Sequence, residues 1–107
     1  MDPRARYDEI VDDLLHRHGD AERTQMMGMP SVKSNGKLLV GYIGSQQAMV
    51  FKLPDDGDRK QALALDGARL FDPSGEGRPF KEWVVLPTAH EADWPGWAER
   101  ALTSPAG

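Results

Sequence analysis

Four basic residues and one tryptophan carry the strongest chemical signal in this sequence: Lys52, Arg69, Arg78, Lys81 and Trp83. They flank Asp72-Pro73-Ser74-Gly75-Glu76-Gly77-Arg78-Pro79, a run of turn formers that reads as a loop. Ammonium and guanidinium groups beside an indole hold an anion by charge and a flat ring by stacking. The same residues also suit plain structure, with Trp83 in a core and Arg69 paired to Asp72 or Glu82. Both alternatives stand at this level.

Other chemistries lack anchors. Glu9, Asp12, Asp13 and His16 recur at spacings of three and four, as ligands of a divalent cation on a helix would. The simpler reading is a solvated helix face with Asp13–Arg17 and Asp12–His16 pairs, so no metal and no cofactor is expected. His16 and His18 diverge on a helix and do not chelate together. Gly36-Lys37 fails as a phosphate loop, because Leu38 stands where Ser or Thr is required. Gly75-Glu76-Gly77 leads into a proline rather than a helix, unlike a dinucleotide fingerprint. No serine lies in a nucleophile elbow. The absence of cysteine excludes disulfides, thiol nucleophiles and cysteine zinc sites. No nucleophile, base and orienting group can be assembled, so the expectation is a protein that is not an enzyme.

The elements that position these residues follow from periodicity. Asp2 and Pro3 start a helix whose stripe is Tyr7, Ile10, Val11, Leu14, Leu15 and His18, with Gly19 expected as a left-handed cap. Asp20 to Gln25 reads as a polar linker. A strand from Met26 turns at Asn35-Gly36, which tolerates the positive φ of a type I′ turn. That turn sets Ser34 against Lys37, Lys33 against Leu38, Ser31 against Val40 and Met29 against Tyr42. One face would then carry Met27, Met29, Leu38, Val40 and Tyr42, the other Val32, Leu39 and Ile43 with Gly28, Pro30 and Gly41. Neither face is cleanly polar, so both need cover. Ala48–Leu53 follows, with Met49, Phe51 and Leu53 opposite Ala48, Val50 and Lys52. A short helix from the Asp55–Asp58 caps to Leu65, a strand Arg69–Phe71 and a strand Lys81–Leu86 come next. Thr88 and Glu91 form a candidate capping box before a helix bearing Trp94, Trp97, Ala98, Ala101 and Leu102, in which both tryptophans cover the sheet. His90 belongs to the surface, and Thr103–Gly107 to a frayed tail.

The expected fold class is α+β, with two layers: an antiparallel sheet of about five strands with helices packed on it, in the order α-β-β-β-α-β-β-α. Residues 1–107 fit a single domain. No apolar run reaches the ~20 residues of a membrane span, and the acidic N-terminus is no secretory signal; a cytoplasmic location is expected. Net charge is -4, which disfavours nucleic acid as a partner. Yet residues 31–53 hold Lys33, Lys37 and Lys52 and no acid, so a charged partner would meet the sheet.

Several short motifs together resemble the TfoX N-terminal-domain-like family, related in fold to the YjbR-like proteins. They are Met27-Gly28-Met29-Pro30, Asn35-Gly36-Lys37, Met49-Val50-Phe51-Lys52-Leu53-Pro54, Gly67-Ala68-Arg69-Leu70-Phe71-Asp72-Pro73, Gly77-Arg78-Pro79, Lys81-Glu82-Trp83-Val84-Val85, Trp94-Pro95 and Ala98-Glu99-Arg100-Ala101-Leu102. The resemblance implies a helix-on-sheet α+β domain similar to secretion-chaperone-like folds, and no catalytic residues. In competence regulators such a domain precedes a helical C-terminal one; the expectation here is the stand-alone domain. The functional expectation is a non-catalytic regulatory module that binds a protein partner, or itself, through the sheet. The alternative is a small-ligand or nucleotide site on Lys52, Arg69, Arg78, Lys81 and Trp83.

Overall fold

The computed structural model describes residues 2–104. Asp2 caps α1 (Pro3–Arg17), its carboxylate accepting the Ala5 N–H at 2.9 Å. Pro3 suits this first turn, where its missing N–H costs nothing. The helix buries Tyr7, Ile10, Val11 and Leu14, each worth about 1.5–3 kcal/mol relative to exposure. It ends at His18, in extended conformation; Gly19 does not take the left-handed cap expected of it.

The polar stretch read as a linker is a strand. β1 (Ala21–Met26) pairs with β2 (Met29–Ser34) along its whole length, from Ala21 opposite Ser34 to Met26 opposite Met29. Met27-Gly28 is therefore a two-residue turn and not part of a strand, with φ of 51° and 79°. β1 escapes the apolar periodicity because it is an edge strand, with Glu22, Arg23 and Gln25 exposed. Arg23 clasps it to α1: its guanidinium reaches Asp12 at 2.6 Å and Asp8 at 3.2 Å. Asp12 thus pairs with Arg23 rather than His16, while Asp13 does pair with Arg17, at 2.9 Å.

β3 (Lys37–Ile43), β4 (Ala48–Lys52), β5 (Arg69–Phe71) and β6 (Phe80–Leu86) complete a six-stranded antiparallel sheet in the order β1-β2-β3-β4-β6-β5. At the Asn35-Gly36 turn, Ser34 opposes Lys37 and Lys33 opposes Leu38, as the turn dictates. One step on, Val32 opposes Val40, which leaves Leu39 as the extra residue of a bulge. A one-residue shift exchanges the faces. Ser31 now faces Gly41, Val32 joins Val40 and Tyr42, and Met29 goes to the other side with Ile43.

α1, α2 (Asp56–Leu63) and α3 (Trp94–Thr103) all cover one face. Beneath them lie Val32, Leu39, Val40, Tyr42, Met49, Phe51, Leu53, Val84 and Leu86. Trp94 is fully buried among them and its indole N–H donates to the Leu86 carbonyl at 3.2 Å. Trp97 is half-buried, with the Arg100 guanidinium 4.5 Å from its ring centre. The expected T-A-H-E capping box does not form. Thr88–Asp93 is a 3₁₀ segment without a side-chain cap, and the Thr88 hydroxyl donates instead to the Gln47 carbonyl at 2.6 Å. His90 donates to the Asp66 carbonyl at 2.6 Å, tying this segment to the α2–β5 connection. The helix holds through Thr103; residues 105–107 of the expected frayed tail lie outside the described residues. No helix among the described residues is long and apolar enough to cross a membrane.

A candidate contact strip on the helix-free face

The opposite face of the sheet builds a second, smaller core with no helix over it. Ile43, Ala48, Val50, Phe71 and Val85 are buried there, with Met26, Met29 and Trp83 packed around them. Val50 and Val85 are fully inaccessible, so the sheet largely covers this face with its own side chains. At its margin Phe71, Asp72 and Pro73 line a cleft of about 320 Å³ together with Met27, Met29, Ile43, Gly44, Ser45 and Gln46.

What stays exposed is narrow. Met27 at 59% and Phe80 at 39% are the exposed large apolar side chains among the described residues. Buried Phe71 relates the two. Met27 and Phe71 line the same cleft, and Phe71 meets Phe80 edge-on with ring centres 5.6 Å apart.

The sequence-predicted basic cluster comes together in part. Lys52 opposes Trp83 across the β4–β6 ladder, and Arg69 opposes Val85 across β5–β6. Alternation from Val50 and Val85 puts Lys52, Trp83 and Arg69 on the helix-free face. Arg69 and Phe71, two apart on β5, share that side. Lys81 lies in the irregular start of β6, where the β5 pairing jumps from Val84 to Phe80, and is exposed. Arg78 is an exposed residue of the loop leading to Phe80.

None of the four cations is neutralised by a carboxylate among the described residues. Arg4, Arg6, Arg17, Arg23, Arg59 and Arg100 each have an acidic partner; Arg69 and Arg78 have none. The pairing of Arg69 with Asp72 or Glu82 does not occur. Asp72 instead organises its own loop, accepting the Gly77 N–H at 3.0 Å and the Gly75 N–H at 3.2 Å, with the Ser74 hydroxyl at 3.2 Å. Gly75 and Gly77 have φ of 70° and 77°, which glycine adopts without a Cβ penalty.

Sequence reasoning missed Met27 and Phe80 as contact residues. Both are visible only once β1 and the β6 bulge fold them to the surface. The signal available was Gly28 after Met27, the mark of a tight turn. Among the described residues no group of three or more His, Asp or Glu is placed to hold a metal ion. No family model, curated protein or solved structure matches this chain.

Proposed function

We propose that this chain is a non-catalytic binding module that docks a protein segment along the Met27–Phe71–Phe80 strip. The observation that carries this reading is that both exposed apolar residues gather around Phe71, Met27 across the cleft lining and Phe80 on its ring. Single exposed apolar residues are ordinary on any surface, whereas here Met27 lines a cleft with Phe71, and Phe80 packs edge-on against the same Phe71 ring. The surface is narrower than the whole sheet, whose centre is closed by Val50 and Val85. Kinship with the TfoX N-terminal-domain-like proteins is part of the same proposal. The helix-on-sheet order supports it.

The test is selection of a random displayed peptide library on the intact chain, followed by amide-shift mapping of the winning peptide. Shifts should centre on Met27, Ile43, Phe71 and Phe80. Failure to select any peptide, or shifts confined to α1 and α3, would remove the reading.

A second reading is favoured by the shared face of Lys52, Trp83 and Arg69: a small anionic ligand with a flat ring, stacked on the indole. A nucleotide screen by thermal shift tests it. Saturation at one hundred times the dissociation constant stabilises by about 2.7 kcal/mol, and a shift that persists in Arg69→Ala counts against this site.

A further inference from the structure

Asn35 is the single asparagine of the chain, and a glycine follows it. Both residues are exposed, and a Cβ added at Gly36 would meet nothing within 4 Å. The side-chain amide carbon of asparagine, Cγ, is electrophilic and lies one ring closure from the next backbone nitrogen. Where that next residue is glycine, no side chain hinders the approach. The Gly36 nitrogen gives up its proton and bonds to Asn35 Cγ, while the Cγ–Nδ2 bond breaks and ammonia leaves. The product is a five-membered cyclic imide. Water then opens it at one of its two carbonyls. Opening at Cγ leaves aspartate; opening at the main-chain carbonyl reroutes the backbone through Cβ and Cγ and leaves isoaspartate.

The fold opposes the first step. Asn35 and Gly36 have φ of 53° and 78°, the two positive values of a type I′ turn. In such a turn ψ of the first central residue is about 30°. Ring closure needs the Gly36 nitrogen eclipsed with Cβ about the Cα–C bond, and this ψ holds the two nearly opposite. Swinging the nitrogen round dissolves the turn that sets Ser34 against Lys37 and Lys33 against Leu38. We infer that Asn35 is a gated self-modification site, guarded while the β2–β3 hairpin is closed and converted when it opens. The two products then part ways. Aspartate before glycine suits the same turn. It supplies the one acid of residues 31–53, in a depression that position 35 shares with Lys37, Leu39, Ala101 and Leu102. Isoaspartate adds a backbone carbon to a turn whose length fixes the register, so the hairpin does not close on the same pairs. Asp56-Gly57 and Asp66-Gly67 close the same ring only by losing water, which hydrolysis returns, so a change of mass marks Asn35.

The experiment incubates the intact protein at mildly alkaline pH, once in buffer and once in urea above its unfolding midpoint. Peptide mapping by mass spectrometry follows the exchange of amide for acid at position 35, and released ammonia is counted independently. Conversion should run about tenfold faster or more in urea, since in buffer only the opened fraction reacts. Equal rates overturn the guarding by the turn, and no conversion in urea overturns the site. The aged protein is then returned to buffer, its products are separated by chromatography, and hydrogen exchange compares them with Asn35→Asp. The isoaspartate fraction should lose amide protection along Val32–Ser34 and Lys37–Val40, while Asn35→Asp and the aspartate fraction keep it. An isoaspartate fraction with an intact ladder overturns the divergence of the two products, as does loss of the ladder in Asn35→Asp.

Discussion

Phe80 stands edge-on to Phe71, ring centres 5.6 Å apart and planes at 84°. Phe71 is the one buried residue of the three-residue strand β5, whose other members are Arg69 and Leu70. Tilted aromatic pairs add about 0.5–1.5 kcal/mol to the area they bury. The loop from Asp72 to Pro79 therefore hangs from one ring at its start and one at its end.

Phe71→Ala should cost about 3–5 kcal/mol and free β5 before the rest of the sheet. Hydrogen exchange checks this. The Leu70 and Val84 amides should lose protection while those of β3 keep theirs; uniform loss across the sheet would show that Phe71 is not the local fastening.

Gly41 tests the floor of the helix-free face. A Cβ there would stand 3.2 Å from Val50 Cγ1 and 3.4 Å from Ser31 Oγ, at the centre of a row with no slack. Gly41→Ala should destabilise by about 1–3 kcal/mol in urea unfolding, against the usual gain of alanine over glycine. A neutral result would mean that the β2–β3–β4 spacing yields.

Tyr7 tests the other face. Its ring lies 5.5 Å from that of Tyr42, and its buried hydroxyl has no hydrogen-bond partner among the described residues. Burial pushes the phenol up from its ordinary pKa, further than nearby Arg23 and Arg4 pull it down. Tyr7→Phe removes an unpartnered polar atom at little change in shape. It should leave stability unchanged or raise it by about 1 kcal/mol, read from the urea midpoint at constant slope. A loss above that range would reveal a partner for the hydroxyl.

Glu99 supplies the pH dependence. Partial desolvation works to raise its carboxyl, but hydrogen bonds from Arg17 at 2.8 Å and His18 at 2.9 Å outweigh it and hold the group below the ordinary glutamate range. A depressed folded value gives stability that is fully present above the unfolded value and is lost as pH falls through the folded one. For so exposed a cluster the contribution is up to about 1 kcal/mol. Glu99→Gln should therefore be less stable near neutrality and converge with the parent in acid, followed by urea midpoints across pH. Parallel curves down to acid would remove Glu99 from the account.

The sequence was most legible where backbone and side chain agree. Asn35-Gly36 predicts its turn because few residues tolerate two consecutive positive φ angles, and Ala48–Leu53 divides between faces by plain alternation. It was least legible where one residue is inserted. Leu39 is apolar and buried like its neighbours, so nothing in its type marks a bulge, yet it moves Val32 beneath the helices and Met29 to the cleft. β1 stayed hidden for the opposite reason: an edge strand has no need of an apolar alternation. Of the basic cluster, Lys52, Arg69 and Trp83 were readable because short strands fix their side. Met27 and Phe80 were not, because their exposure depends on a turn and an irregular pairing.

The clasp of Arg23 on Asp8 and Asp12 has a consequence for how the molecule behaves in a crowd. The outermost strand of any open sheet is a template onto which a stranger's backbone can add, and repeated addition makes fibrils. Here that margin is largely polar, and beside the packing of Ala21 it is tied to α1 by the exposed ion pairs of Arg23. Charge is weakened by dissolved ions far more readily than hydrophobic contact is. Dissolved salt therefore loosens this clasp, and with it the cover that the Arg23 side chain gives the β1 margin.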